Sequence, residues 1–173
     1  KIKTKNSKIM KNKSLIFGVC SSGGHLAELE EITKYFSNKY RLIICKDNIT
    51  LNSCFSKVIF SRQNNQLLNI SLSSVGRSLW RGFNTLLIAV YLLIKIRPTF
   101  LITTGAGVGT IFCIASKILF IPSIYICSIT HIERIGISCK IAKYFATEFY
   151  VCHQSLAKKL NCNYFPNDAI RNL

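Results

Sequence analysis

The sequence predicts an α/β fold: a Rossmann-like parallel sheet with helices on both faces. Three observations carry the prediction. Short unbroken apolar runs alternate with longer segments of helical periodicity. Two of those runs end in glycine-rich turns that open the following helix. At 173 residues and 49% hydrophobic content, the chain can bury one large core but not two. The expected organisation is a basic flexible tail over 1–13 and a single domain over 14–173.

Each element has its own signal. Leu15–Cys20 is a continuous apolar run, as expected of a strand covered on both faces. Leu26, Leu29, Ile32 and Phe36 then recur at helical spacing, with Glu28, Glu30 and Glu31 early in that helix, where the dipole favours acids. Arg41–Cys45 and Lys57–Phe60 read as strands, and the polar stretch Ser61–Ser74 as a loop or flap. From Leu79 to Ile96 the pattern is helical and apolar over most of its circumference, and Pro98 closes it. Phe100–Ile102 is a strand, Val108–Leu119 a helix broken by Pro122, and Ser123–Cys127 a strand. Ile135–Phe145 (helix), Glu148–Cys152 (strand), Ser155–Leu160 (short helix) and Tyr164-Phe165 (strand fragment) complete the alternation.

The two glycine turns define the candidate site. They are Ser21-Ser22-Gly23-Gly24-His25 and Thr103-Thr104-Gly105-Ala106-Gly107. A glycine-rich strand-to-helix turn lets backbone approach an anion, and unpaired N–H groups with a positive dipole end suit phosphate. In a parallel sheet both turns lie at the carboxyl ends of strands and face one crevice. Neither turn matches the dinucleotide fingerprint or a P-loop. His25, at the start of a helix beside such a turn, has three available roles: binding diphosphate, taking a proton from a hydroxyl, or capping the loop. Arg62 is a second candidate phosphate ligand.

Charge narrows the partners. There are 23 Lys and Arg against 7 Asp and Glu, a formal charge of +16, which favours anionic partners. Lys1, Lys3, Lys5, Lys8, Lys11 and Lys13 crowd the tail, which serves solubility or tethers the chain to anionic lipid. No acidic residue lies between Asp47 and Glu133, so this stretch of the body is positive. No nucleic-acid-binding motif accompanies the charge. The eight cysteines are scattered, without Cys-x-x-Cys or matching Cys/His spacing, and read as reduced, buried, small hydrophobes. His131 and His153 have no ligand spacing to each other or to acids, so no metal and no cofactor is expected. The uncharged stretch from Gly82 to Ile94 is too short for a transmembrane helix, which needs about 20 apolar residues. Two readings of Leu79–Ile96 remain: a helix in the lipid interface, contacting it through Arg77, Trp80, Arg81, Phe83, Leu87, Tyr91 and Lys95, or one buried between sheet and partner.

Taken in order, Ser21–Leu26, Ser61-Arg62, Arg97-Pro98 leading into Thr103–Gly107, Ile124-Tyr125-Ile126, and Phe149-Tyr150-Val151 followed by Leu156 resemble the asparagine-linked glycosylation protein fourteen family. That family includes bacterial capsule and exopolysaccharide proteins, and it is similar to the N-terminal half of MurG-like GT-B glycosyltransferases. The resemblance implies a membrane-associating, acceptor-binding subunit of a two-component UDP-sugar glycosyltransferase. It implies a separate catalytic donor-binding subunit as partner, a polyprenyl-diphosphate-linked sugar as acceptor, and the cytosolic face of a membrane as location. Acceptor diphosphate would lie against Ser21, Ser22, Gly23, Gly24, His25, Arg62, Thr104, Gly105, Ala106 and Gly107, with His25 as the catalytic candidate. The chain departs from the family pattern at Cys127, where a glutamate is usual, at His131, where an arginine is usual, and at Cys139, where a glycine is usual. Two other classes fit less of the sequence. A stand-alone nucleotide-binding Rossmann enzyme would use Asp47 on a ribose, and a basic nucleic-acid-binding protein would use the charge alone.

Overall fold

The computed structural model describes residues 14–21, 23–34, 36, 40–46, 57–60 and 72–166. The basic tail, Ser22, Asp47, Cys54, Arg62 and most of the Ser61–Ser74 segment lie outside the described residues.

The strands are β1 (Leu15–Cys20), β2 (Arg41–Lys46), β3 (Lys57–Phe60), β4 (Phe100–Thr103), β5 (Ser123–Ile126), β6 (Glu148–Val151) and β7 (Asn163–Tyr164). The helices are α1 (Gly24–Lys34), α2 (Leu72–Ile96), α3 (Ala106–Ile118), α4 (Ile137–Phe145) and α5 (Gln154–Leu160). All strands pair in parallel, in the order β3-β2-β1-β4-β5-β6-β7. This is the predicted doubly wound architecture. The strand order reverses between β1 and β4, and that reversal opens a crevice beyond their carboxyl ends.

Alternation along β1 divides the core between the two faces of the sheet. Leu15, Phe17 and Val19 pack with Ala89 and Leu93 of α2, Val108 and Phe112 of α3, and Cys139 and Ala142 of α4. Ile16 and Cys20 face the other way, toward Leu29 and Ile32 of α1. Every residue of β1 is buried, which explains its unbroken apolar run. Phe17 and Phe112 meet at a centroid distance of 5.8 Å, fastening α3 to the central strand.

The main departure from expectation is α2, which begins at Leu72 rather than near Leu79. Ser73 and Ser74 fall in the stretch expected as loop, and they and Gly76 are weak helix formers, but the helix runs through them. It ends at Ile96, with Arg97 at φ 49° directly before Pro98. Thr85, Ala89 and Leu93 are buried on one side of α2. Trp80, Phe83, Leu87, Tyr91 and Ile94 form an exposed apolar stripe, each more than half accessible. No helix among the described residues is long and apolar enough to cross a membrane.

Candidate functional site

The predicted turns follow β1 and β4, the strands that flank the topological switch. They are hydrogen-bonded to each other. His25 Nδ1 lies 3.0 Å from the Thr104 carbonyl, and the Thr104 hydroxyl donates to the His25 carbonyl at 2.6 Å. These reciprocal contacts weld the start of α1 to the end of β4.

Glycine is required at two positions here, one in the second turn and one in the helix that follows it. Gly105 has φ 120°, a region that side chains rarely adopt, and a Cβ there would stand 3.3 Å from His25 Cε1 and 3.6 Å from Tyr125 Oη. Gly109, within α3, lets the helix close on β4: a Cβ at that position would stand 2.2 Å from Thr103 Oγ1. Thr103 is fully buried, and its Oγ1 accepts from the Gly105 N–H at 3.4 Å. In the first turn Gly23 has φ 85°, and its carbonyl accepts from the N–H groups of Leu26 and Ala27.

Sequence reasoning missed Glu28. Its position early in α1 had a sufficient local explanation in the helix dipole, yet its carboxylate is committed to the site. Glu28 Oε2 lies 3.5 Å from His25 Nδ1, and Oε1 accepts from the Ser128 hydroxyl at 2.7 Å and the Ile129 N–H at 3.2 Å. The spacing of His25 and Glu28, one helical turn apart, was the available signal. Both neighbours of Nδ1 are oxygen acceptors, which places the proton on Nδ1 of the neutral ring and leaves the Nε2 lone pair available. The Glu28 carboxylate beside the ring raises the His25 pKa above its ordinary value of 6.5, against the opposing effect of burial. Burial acts to raise Glu28, but the adjacent His25 ring and hydrogen bonds from Ser128 and Ile129 outweigh it and hold the carboxylate below its ordinary value.

One strand further along the same edge, Tyr125, Cys127, His131 and Cys139 come together. Cys127 Sγ donates to Cys139 Sγ at 3.5 Å, and the buried Tyr125 Oη lies 3.4 Å from the same sulfur. Hydrogen bonding from Cys127 pulls the Cys139 thiol down and pushes that of Cys127 up. Burial raises the Tyr125 phenol, whose ring stacks on Phe149 at 5.4 Å. The loop after β5 is held by Glu28 and by His153, whose Nε2 donates to the Ile129 carbonyl at 2.9 Å.

The structure thus gathers Gly23, Gly24, His25, Thr104, Gly105 and Gly107 at one edge; Ser21 lies at the end of β1 and Ala106 begins α3. The exposed side chains of Trp80, Phe83, Leu87, Tyr91 and Lys95 lie on α2. Arg77 and Arg81 belong to the same helix, but their side chains lie outside the description, as does Arg62 altogether.

A parallel sheet with this strand order and paired glycine turns at its switch point defines a Rossmann-like α/β domain. Solved structures agree. The Acinetobacter baumannii MurG structure matches with TM-score 0.61 at 10% identity, covering 81% of this chain and 41% of that one. The UDP-N-acetylglucosamine 2-epimerase of Rickettsia bellii matches with TM-score 0.63 at 10% identity, covering 88% and 44%. A second UDP-N-acetylglucosamine 2-epimerase matches with TM-score 0.63 at 9% identity. The chain therefore spans less than half the length of each of these proteins, and at such identities the likeness shows the fold. Among curated proteins none matches by sequence. The family described as "Oligosaccharide biosynthesis protein Alg14 like" matches over residues 16–166, and the chain belongs to it. Membership places the chain in oligosaccharide biosynthesis, as the resemblance implied.

Proposed function

We propose that this chain is the acceptor-binding, membrane-associating subunit of a two-component UDP-sugar glycosyltransferase of the N-acetylglucosaminyl or galactosyl type. It presents a polyprenyl-diphosphate-linked sugar at the cytosolic face of a membrane, and a separate donor-binding chain completes the active site. The observation that carries this reading is the His25–Thr104 junction, which joins two glycine turns at the switch point of the sheet. The turns following β1 and β4 offer backbone N–H groups and helix N-termini to the acceptor diphosphate. Cationic side chains, Arg62 among them, offset its charge.

His25 is the catalytic candidate. With Nδ1–H directed at Thr104 and Glu28, Nε2 is the atom that accepts the proton of the attacking hydroxyl. Glu28 stabilises the imidazolium that results, and the raised pKa strengthens the base. The exposed stripe on α2 rests on the bilayer that holds the polyprenol, with Trp80 and Tyr91 at headgroup depth. Family membership supports the setting in oligosaccharide synthesis, and the resemblance supplies the second chain.

The test is transfer from a UDP-sugar to a polyprenyl-diphosphate-linked acceptor in membranes. Three samples are compared: this chain, a candidate donor-binding chain, and both together. Activity that requires both chains, and that falls about 100-fold or more in His25→Ala, as expected for a lost general base, supports the reading. Full activity from this chain alone refutes the two-component arrangement.

A further inference from the structure

His131 has no ligand spacing along the chain to His153 or to an acid, but the fold brings it beside two thiols. Cys127 Sγ, Cys139 Sγ and a ring nitrogen of His131 all lie within 4.8 Å of one another, and the two sulfurs are 3.5 Å apart. We propose that Cys127, His131 and Cys139 form a zinc site, with three protein ligands and a fourth position for water or another oxygen donor.

The geometry suits that ion. Tetrahedral zinc with Zn–S bonds of about 2.3 Å sets its sulfurs roughly 3.8 Å apart, and its sulfur–nitrogen pairs about 3.5 Å apart. The sulfurs already hold nearly that separation, so the His131 side chain supplies the remaining adjustment. The ligands are also well anchored. Cys127 follows β5, where its N–H donates to the Tyr150 carbonyl at 2.8 Å. Cys139 sits in the first turn of α4. His131 lies in the connecting loop, where its N–H donates to the Ser128 carbonyl at 3.1 Å. Both cysteines are buried and His131 is half-buried, so bound metal would pin strand, loop and helix together with restricted solvent access. Two thiolates and one imidazole are a soft to borderline donor set, which selects zinc over magnesium or calcium. Both sulfurs bind as thiolates, with any thiol proton still held released to solvent, and two thiolates balance the charge of Zn²⁺. The competing fate, a Cys127–Cys139 disulfide, requires the sulfurs to close to about 2.05 Å. The site does not depend on the proposed transfer reaction.

The test uses the full chain, untagged, reduced and stripped with chelator. Zinc is then measured by elemental analysis after dialysis, and Co²⁺ is titrated as a spectroscopic probe. The expected result is one metal per chain, with a sulfur-to-cobalt charge-transfer band and intense tetrahedral d–d bands. Cys127→Ser and Cys139→Ser should lose the charge-transfer intensity stepwise. His131→Gln, a loop substitution that leaves both core thiols in place, should weaken binding by more than the roughly 10–100-fold that losing an outer-shell partner costs. Circular dichroism establishes that each variant is folded. The proposal is overturned if folded, reduced wild-type protein shows no cobalt bands. It is equally overturned if metal persists in the double serine variant, or if a Cys127–Cys139 disulfide re-forms in the presence of zinc.

Discussion

Replacing Gly109 with alanine probes the close approach that shapes the second glycine turn. The added Cβ would stand 2.2 Å from Thr103 Oγ1, 3.2 Å from its Cβ and 3.3 Å from its Cγ2. Ordinary contact begins near 3.4 Å, so the shortfall against the hydroxyl is about 1.2 Å. Rotating Thr103 is costly: it is fully buried, one alternative rotamer presents its methyl group, and either one gives up the contact with the Gly105 N–H. The start of α3 must lift. Overpacking of this kind costs about 1–3 kcal/mol, here toward the upper end, while alanine gains about 1 kcal/mol over glycine inside a helix. The expected net loss is about 2 kcal/mol, or roughly 4–8 °C in Tm for a domain of this size. The assay is urea unfolding of Gly109→Ala, Thr103→Ala and the double variant. Thr103→Ala removes both Oγ1 and Cγ2, so alanine at 109 should then be nearly neutral or stabilising, with a coupling energy of about 2 kcal/mol. Additivity within about 0.5 kcal/mol, or a single variant as stable as wild type, would refute the packing argument.

Two further predictions concern proton affinity and lipid. In Glu28→Gln the His25 titration, followed by its ring-proton NMR shift, should fall back toward 6.5, because the negative charge beside the ring that raises it is removed. His25, with its folded pKa raised, contributes its full stability below the ordinary value of 6.5, and that stability is lost as pH rises through the folded pKa. Glu28, with its folded pKa lowered, contributes above its ordinary value of 4.5, and that stability is lost as pH falls through its folded pKa. The stability advantage of wild type over Glu28→Gln should therefore be largest between 4.5 and 6.5 and shrink on the alkaline side; a difference that grows there contradicts the pairing. On α2, Leu87→Glu combined with Tyr91→Glu should leave folding nearly unchanged, since both side chains are more than half exposed. Binding to anionic vesicles should weaken by at least about tenfold. Trp80 is the sole tryptophan and reports binding through its emission shift, and undiminished vesicle binding would remove the stripe from the proposed membrane contact.

The strands were legible because a buried parallel strand has to be apolar along its whole length, as Leu15–Cys20 is. The strand–helix alternation made a doubly wound parallel sheet legible, while the order β3-β2-β1-β4-β5-β6-β7 came from the structure. The start of α2 was not legible: Ser73, Ser74 and Gly76 have low helix propensity, and only the folded chain shows the helix continuing through them. In the site, His25 and the glycine turns stood out because few residue types satisfy such a turn. Glu28 did not, since an acid near a helix start is already explained locally. Cys127, His131 and Cys139 lie on a strand end, a loop and a helix, so their convergence is a property of the sheet edge and not of sequence spacing.

The reach of Glu28 has a mechanical consequence. One carboxylate grips the imidazole with one oxygen and the Ser128–Ile129 loop with the other, so a displacement of that loop is felt as a change in the basicity of His25. Whatever docks against or pulls on the segment after β5 would thereby shift the proton affinity of an imidazole on another element, one carboxylate away.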